Sequence, residues 1–280
     1  MSGESLLAFT KPYGRVFCAR SFHNMTKEKS TQAAKENPLA NILINVLIPV
    51  LALSLLSKDP AAAEAKPWHI GPLYALFAAL SFPIAYGIWF FVQTRKMNFF
   101  SALGLFSVIL TGGLTLFLWN EDGSVKENAD LLFGFKEASI PFILGIAIIS
   151  SHWSKTPLIR TFLYNDSIFD IVKIEKKVAE IQGEEAYTKL MFTATQLFAA
   201  SFFISTLLNF GMAMYFLGDL DHTAPNARET YNTLVAKITG WGFLVIGFPV
   251  MLFLFLTLKR LLSDLRKLTG YKDEELMMPR

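Results

Sequence analysis

The chain has 280 residues, of which 52% are hydrophobic and 18% charged, and its formal net charge is +3. A water-soluble domain of this length needs more charge on its surface, so the composition excludes an ordinary soluble protein. The Lys and Arg residues lie beside long apolar stretches, which favours a role in membrane orientation and argues against a nucleic-acid partner.

Six apolar segments free of Asp, Glu, Lys and Arg follow one another along the chain. A bilayer core about 30 Å thick needs about 20 helical residues, and five of the segments have that length. The fourth reaches it only by including Leu131–Glu137. Because hydrocarbon does not tolerate unpaired backbone groups, the sequence predicts an all-α, polytopic transmembrane helical bundle with six spans. The segments are Pro38–Ser57, Pro72–Val92, Asn98–Trp119, Ala138–Trp153, Leu190–Leu217 and Ile238–Leu258.

Positive charge is distributed unevenly between the loops. Twenty of the 26 Lys and Arg residues lie before the first span, in the second and fourth loops, and after the sixth span. The first, third and fifth loops instead carry several acidic residues. Because Lys and Arg resist translocation, both termini are predicted to be cytoplasmic. An even number of spans independently requires both termini to lie on one side.

Three regions follow from these spans. Residues 1–37 form a cytoplasmic N-terminal tail, residues 38–260 the membrane domain, and residues 261–280 a cytoplasmic C-terminal tail. The start of the N-terminal tail lacks the apolar centre of a secretory signal. Met25 offers a second start, so the residues before it are either a disordered extension or lie upstream of the true start. The single cysteine, Cys18, cannot form an internal disulfide.

The fourth loop, residues 161–189, carries an amphipathic pattern. Its apolar residues recur at intervals of three and four with charged residues between them, which predicts a helix with one apolar face. Three placements remain open for this helix: a connector resting on the bundle, a helix lying on the inner leaflet, or a docking surface for a partner. The apolar residues are Ile168, Ile171, Ile174, Val178 and Ile181.

Polar residues inside the predicted spans form two groups. Asn41 and Asn45 lie four residues apart in the first span and share one helix face. Ser201, Ser205 and Asn209 form a stripe at steps of four in the fifth span. Amides and hydroxyls of this kind serve helix–helix packing in lipid, and they are also the residues that would line a polar cavity. The sequence leaves both interpretations open.

The sequence lacks the familiar patterns that carry chemistry. It has no Walker loop, no Gly-x-Ser-x-Gly, no His-Glu-x-x-His and no cluster of residues with metal-ligand spacing. No Asp or Glu lies in the middle of a predicted span, where proton-coupled transporters usually carry one. We therefore expect a non-enzymatic protein without a cofactor or a metal.

Several short motifs in a fixed order resemble a known family. The third span ends in Gly-Gly-Leu-Thr-Leu, an Asn-Glu-Asp run follows, a lysine precedes the fourth span, and Lys-Thr-Pro-Leu-Ile follows that span. With Leu208-Asn209 in the fifth span, this order resembles the bacterial inner-membrane-spanning protein family, also called intracellular septation protein A, over residues 40–260. The motif residues are Gly112, Gly113, Thr115, Asn120, Lys136, Lys155 and Pro157.

The resemblance implies a multi-pass protein of the bacterial inner membrane, linked to cell-envelope maintenance and septation, with no established catalytic residues. This chain has a longer N-terminal tail and an expanded fourth loop, as expected of a divergent subgroup. The leading hypothesis is a protein that supports envelope integrity or septation through contacts with membrane lipids or with envelope and division proteins.

The alternative hypothesis is a small transporter for a lipid or a small organic solute. Pro49, Pro83 and Pro249 would give broken helices around a central site. Six spans are few for a transporter, so this hypothesis requires a homodimer.

The predicted topology can be tested by cysteine accessibility in a Cys18→Ser background, which removes the natural thiol. A membrane-impermeant maleimide should label Asp221→Cys in intact cells, because the acidic fifth loop is translocated. The same reagent should label Thr31→Cys and Pro279→Cys only after the membrane is permeabilised, because the basic tails stay inside. Labelling of the two tails from opposite faces would contradict the topology.

Overall fold

Helices dominate the described part of the chain. The computed structural model describes residues 43–94, 99–154 and 157–278. The predicted N-terminal tail (residues 1–37) and the candidate site residues Asn41 and Lys155 lie outside these ranges. Within the ranges no β-strand occurs, and β-bridges are isolated residue pairs. The prediction of an all-α protein is confirmed for the described residues.

The described helices begin with a π-helical turn, Leu43–Leu47, that leads directly into α1. Pro49 lacks the N–H that the Asn45 carbonyl would accept in an α-helix, which favours the wider turn before it. The α-helices in chain order are α1 Ile48–Leu56, α2 Pro72–Thr94, α3 Phe99–Leu118, α4 Ala129–Ser151, α5 Leu158–Phe162, α6 Ile171–Glu180, α7 Glu184–Leu217, α8 Ala227–Val245, α9 Gly247–Thr269 and α10 Asp273–Leu276.

Four segments of the described chain are long and apolar enough to cross a membrane. The fourth of them combines α8 and α9, which follow one another with only Ile246 between them. Leu43–Leu56 and Leu103–Leu118, which lie in the first and third predicted spans, are two shorter apolar helical stretches of the described residues. The four segments are Pro72–Gln93, Ala129–Ser151, Glu184–Leu217 and Ala227–Thr269.

Several helix boundaries differ from the sequence prediction, most clearly at the fourth and sixth predicted spans. α4 begins at Ala129, well before the predicted start of the fourth span at Ala138. Its first turn carries Asp130, whose negative charge is favourable at the N-terminal end of a helix dipole. The predicted sixth span is made of the end of α8 and the start of α9. The break coincides with Gly247 and Pro249, and the proline removes one helical N–H.

The bundle has two hydrophobic cores, one at each end. α4 runs from Ala129 in one core to Ile148 in the other, and α7 runs back in the opposite direction. We call one end the loop end, because it carries the α3–α4 and α7–α8 loops (residues 119–128 and 218–226). The other is the cap end, which carries α5, α6 and α10.

α4 and α7 form the most extensive helix pair of the described chain. They approach one another at two glycines of α4. A Cβ atom on Gly145 would lie 2.9 Å from the ring of Phe203, and one on Gly134 would lie 3.0 Å from the ring of Phe210. A side chain at either position would have to push the facing ring aside. The tightest helix pair therefore uses small residues to bring two helices together, as is common in lipid.

The cap buries the apolar face of α6. Ile171, Ile174 and Val178 are buried in the core of the cap end, whereas Val172 is exposed. The Asp170 carboxylate accepts a hydrogen bond from a backbone N–H in the first turn and caps the helix. The apolar face of α6 thus packs on the protein itself. This agrees with the first of the three predicted placements, a connector helix that rests on the bundle.

The C-terminal segment folds back onto the fourth loop. The Asp170 N–H donates to the Leu276 carbonyl at 2.9 Å, and the Met278 N–H donates to the Ile168 carbonyl at 3.0 Å. The Leu276 side chain is fully buried in the core of the cap end. The described part of the C-terminal tail is therefore an integral part of the cap.

Candidate functional site

α4 carries two charged residues, Lys136 and Glu137, within its length. The helix has 23 residues, so every 18-residue window inside it contains both charges. Lys136 lies about 10 Å along the helix axis from its start at Ala129. A crossing made by α4 therefore places this pair at the depth of the hydrocarbon, where an unpaired charge is costly. The sequence prediction had placed Lys136 before the fourth span, because it started that span too late.

Lys136 turns into the protein and finds partners there. Its side chain is 8% exposed, and its Nζ lies 2.7 Å from Glu137 Oε1. Nζ also donates to the hydroxyl of Thr111 on α3 and lies 5.7 Å from the ring centroid of Phe133. The Thr111 hydroxyl in turn donates to the carbonyl of Ser107 at 2.9 Å. The charge of the lysine is thus neutralised and hydrogen-bonded, as burial requires.

Two hydroxyls beside the ion pair lack a hydrogen-bond partner. Thr115 lies one turn after Thr111 and is 1% exposed, and Tyr231 of α8 is fully buried. The two hydroxyls lie close enough to interact with one another, but among the described residues neither makes a hydrogen bond of good geometry. The Tyr231 ring meets Phe133 edge-on, with 6.3 Å between centroids. A buried hydroxyl without a partner costs about 1–3 kcal/mol, so this pair favours a small polar guest.

These residues form one site, which we call the Lys136 cluster. It offers an ammonium donor, a carboxylate acceptor and two hydroxyls that can both donate and accept, which suits a water molecule or another small polar group. Among residues 43–94, 99–154 and 157–278 no group of three His, Cys, Asp or Glu side chains is placed to hold a metal ion. The cluster consists of Thr111, Thr115, Phe133, Lys136, Glu137 and Tyr231.

Of the family-like motif residues, Lys136 of α4 donates to Thr111 of α3, one helical turn before the motif residue Thr115. Gly112 lies where α3 meets α2, and a Cβ atom there would collide with Leu80. Gly113 faces open space, with no heavy atom near an added Cβ. The glycine pair therefore has one member in close contact with a neighbouring helix and one that is not.

Asn120 lies at the loop end, where it helps to fasten two loops. Its carbonyl accepts a hydrogen bond from the Arg228 guanidinium, which stacks over Trp119 at 5.4 Å from the ring centroid. The Val125 N–H donates to the carbonyl of His222 at 2.9 Å. The α3–α4 loop and the α7–α8 loop are thus bound to one another.

Pro157 lies at the opposite end, directly before α5, where a second polar network joins α5 to α6 and α7. Arg160 pairs with Glu175 at 2.5 Å, and its guanidinium lies 3.4 Å from the Tyr187 hydroxyl. That hydroxyl donates to the hydroxyl of Tyr164 at 3.3 Å. Burial raises the pKa of Tyr164, which keeps the phenol protonated at physiological pH. This network holds the cap in place.

The polar residues of the predicted spans bond within their own helices. The Ser201 side chain is buried, and its hydroxyl donates to the Phe198 carbonyl at 2.6 Å. The Asn209 amide donates to the carbonyl of Ser205 at 2.7 Å and to its hydroxyl at 3.1 Å. Asn45 lies in the π turn before α1. The Asn209 amide N–H is thus satisfied within its own helix, and both interpretations of these residues remain predictions.

Sequence reasoning missed the start of α8, because it treated those residues as a loop. Asn232 is 1% exposed, and its amide donates to the Ser57 hydroxyl at 3.0 Å and to the Pro72 carbonyl at 2.8 Å. It therefore ties α8 to the end of α1 and the start of α2. The apolar residues Ala227 and Tyr231, four apart, were the available signal of a helix face.

The ion pair can be tested by a double-mutant cycle. Lys136→Met leaves the Glu137 carboxylate without its partner and should lower the free energy of unfolding by about 3 kcal/mol. The double variant Lys136→Met/Glu137→Gln should be more stable than Lys136→Met, because no uncompensated charge remains. Denaturant titration in detergent micelles measures the free energy of unfolding of each variant. Lys189→Met, at an exposed lysine of α7, is the control. Equal losses of unfolding free energy in Lys136→Met and Lys189→Met would contradict a stabilising ion pair.

Comparison with protein-family models, with curated proteins and with solved structures gave no match for this chain.

Proposed function

We propose that this chain is a non-enzymatic multi-pass membrane protein that acts through contacts with lipids and partner proteins. The observation that carries this proposal is that apolar side chains lie on the outside of the bundle, whereas a charged pair lies inside it. In the most apolar 18-residue window of Ala227–Thr269, only 6% of the residues are buried. This segment is nevertheless the most hydrophobic of the four candidate crossings. Soluble proteins rarely expose such a surface, so lipid or another protein must cover it. The charges of Lys136 and Glu137, by contrast, face inward.

The proposed topology has six crossings and both termini in the cytoplasm. The four long helices supply four crossings, and the two shorter apolar helices, Leu43–Leu56 and Leu103–Leu118, are proposed to complete six. Charge supports the orientation: exposed lysines such as Lys176 and Lys267 lie at the cap end, and exposed acids such as Asp219 lie at the loop end. The cap end would then face the cytoplasm.

The proposed role is support of envelope integrity or septation in the inner membrane of a bacterium, as in the family of inner-membrane-spanning or septation A proteins. The motif residue Lys136 bonds to Thr111, one turn before the buried motif residue Thr115, and a third motif residue, Gly112, lies at a helix crossing. Residues that are buried between helices or lie at a helix crossing contribute to the packing of the bundle. This supports a structural protein more than an enzyme.

The role is tested by deleting the gene and measuring cell length and sensitivity to detergents and to cell-wall antibiotics. We expect longer cells and higher sensitivity, because the protein would no longer hold its lipid or protein partners. The wild-type gene should restore both measurements. Unchanged length and unchanged sensitivity would contradict the proposed role.

One observation favours the alternative, a dimeric transporter for a lipid or a small organic solute. The Lys136 cluster has an ion pair at membrane depth and two buried hydroxyls without partners, as in a site that takes up a polar group. In proteoliposomes, Lys136→Met should then abolish solute flux. Asn209→Leu should retain it, since the Asn209 amide bonds only within α7. Equal flux in both variants would contradict a transport site at Lys136.

A further inference from the structure

One exposed face of α9 changes from apolar to basic along its length. The apolar residues recur at intervals of three and four, so they lie in one row on the helix. Lys259 and Arg260 continue this row at the same intervals, and both are exposed. We call the apolar part of the row the α9 stripe. Its residues, all exposed, are Phe248, Met251, Leu252, Phe255 and Leu256.

The opposite face of α9 packs on the bundle. Leu261 is buried in the core of the cap end, and Leu254 and Leu258 pack against that core. The α9 stripe is thus the outer face of a helix whose inner face is already packed. Phe248 is 68% exposed and Met251 is 70% exposed, so this face must be covered by something outside the described chain.

Residues of three helices show where the hydrocarbon ends at the cap end. Trp153, which follows α4, is exposed, and its ring lies 6.0 Å from that of Phe192 on α7. α7 and α9 run in opposite directions between the two cores, and a Cβ atom on Gly183, directly before α7, would lie 3.3 Å from Leu268 of α9. Equal steps inward from this contact place Phe192 and Lys259 at about the same height. Tryptophan and lysine are typical of the membrane surface, so Lys259 lies at that surface.

The length of the α9 stripe matches one leaflet of a bilayer. From Phe248 to Lys259 the helix rises about 16 Å, about half of a hydrocarbon core of about 30 Å. The stripe therefore extends from the interior of the membrane to its surface at the cap end. Lys259 follows Leu256, the last apolar residue, within one helical turn. A cation thus lies at the headgroup end of the apolar row.

The ammonium group of Lys259 is free for a ligand. In the described part of the chain it takes part in none of the ion pairs, whereas Arg260 pairs with Asp264 at 2.8 Å. The stem of Lys259 can lie along the apolar row while its ammonium group reaches the lipid headgroups. Arg266 and Lys267 follow further out on α9, and basic residues just outside a membrane helix attract anionic lipids.

We propose that the α9 stripe binds one anionic glycerophospholipid of the leaflet at the cap end. An acyl chain lies along the apolar residues, and Lys259 holds the phosphate. An apolar row one leaflet long that ends in an unpaired cation complements this lipid in both length and charge. The inference rests on the proposed membrane location and names the lipid partner of the proposed function.

The headgroup contact is tested with the full chain in nanodiscs that hold equal amounts of phosphatidylglycerol and phosphatidylcholine with the same acyl chains. Native mass spectrometry identifies the lipid that each released chain retains. The wild type should retain one lipid, mainly phosphatidylglycerol. Lys259→Gln should lower the ratio of retained phosphatidylglycerol to phosphatidylcholine at least threefold, because the anionic lipid loses its cation.

Lys176→Gln is the matched control for charge. Lys176 lies on α6 at the same end of the bundle, and it is also exposed and takes part in none of the ion pairs of the described residues. Lys176→Gln should keep the lipid ratio of the wild type. An equal fall of the ratio in both variants would show a general attraction to positive charge and would overturn the proposal.

The acyl contact is tested with Phe255→Ala, which removes an exposed ring from the stripe. It should lower the retention of both lipids at least twofold and leave their ratio unchanged. Phe243→Ala, at an exposed phenylalanine of α8, is its control and should retain lipid like the wild type. Because both rings are exposed, neither change disturbs a packed core. Full lipid retention in Phe255→Ala would overturn the proposal.

A second copy of the chain is the other occupant that the measurements can reveal. In a Cys18→Ser background, Met251→Cys places a thiol in the middle of the stripe, and oxidation in the membrane should leave the chain monomeric. Efficient formation of a disulfide-linked dimer would assign the stripe to a second copy and overturn the proposal. The deletion phenotype is scored separately, so the envelope role and the lipid site can fail independently.

Discussion

Hydrocarbon offers no hydrogen bonds, so each polar group that enters the bilayer must find a partner inside the protein. Most side-chain hydroxyls of the long helices do so locally: those of Thr195 and Ser201, for example, donate to carbonyls of their own helix. Lys136 cannot be satisfied in this way. It needs a carboxylate and a hydroxyl, and the hydroxyl comes from Thr111 on another helix. This requirement fixes how α3 and α4 approach one another.

The same constraint explains why the bundle has two separate cores. The middle of the α4–α7 pair is held by close packing at Gly134 and Gly145, where the facing Phe rings lie close against the helix backbone. Polar ties lie at the ends, with Arg228 and Asn120 at the loop end and the Arg160 network at the cap end. Water is available at both ends, so an imperfect hydrogen bond there costs less than one at membrane depth.

α8 combines the two surfaces on which the functional proposals rest. One face turns inward and contributes Tyr231 to the Lys136 cluster and Asn232 to the joint with α1 and α2. Lys237 and Trp241 of the same helix are exposed. A polar group in the cluster and whatever covers the exposed face would therefore contact the same helix. This gives the envelope-support and transport hypotheses a common structural element.

The sequence by itself determined that the chain is helical and belongs in a membrane, because long uncharged segments permit little else. It also located the ends of most helices, such as Pro72 and Leu217, where composition changes sharply. It could not determine the start of α4, since Lys136 and Glu137 read as the edge of a span when their partners are unknown. It could not find Tyr231 or Asn232, because a helix that begins with charged residues resembles a loop. Only the tertiary structure decided these points, since a charge can enter a membrane helix only when a partner from another part of the chain meets it there.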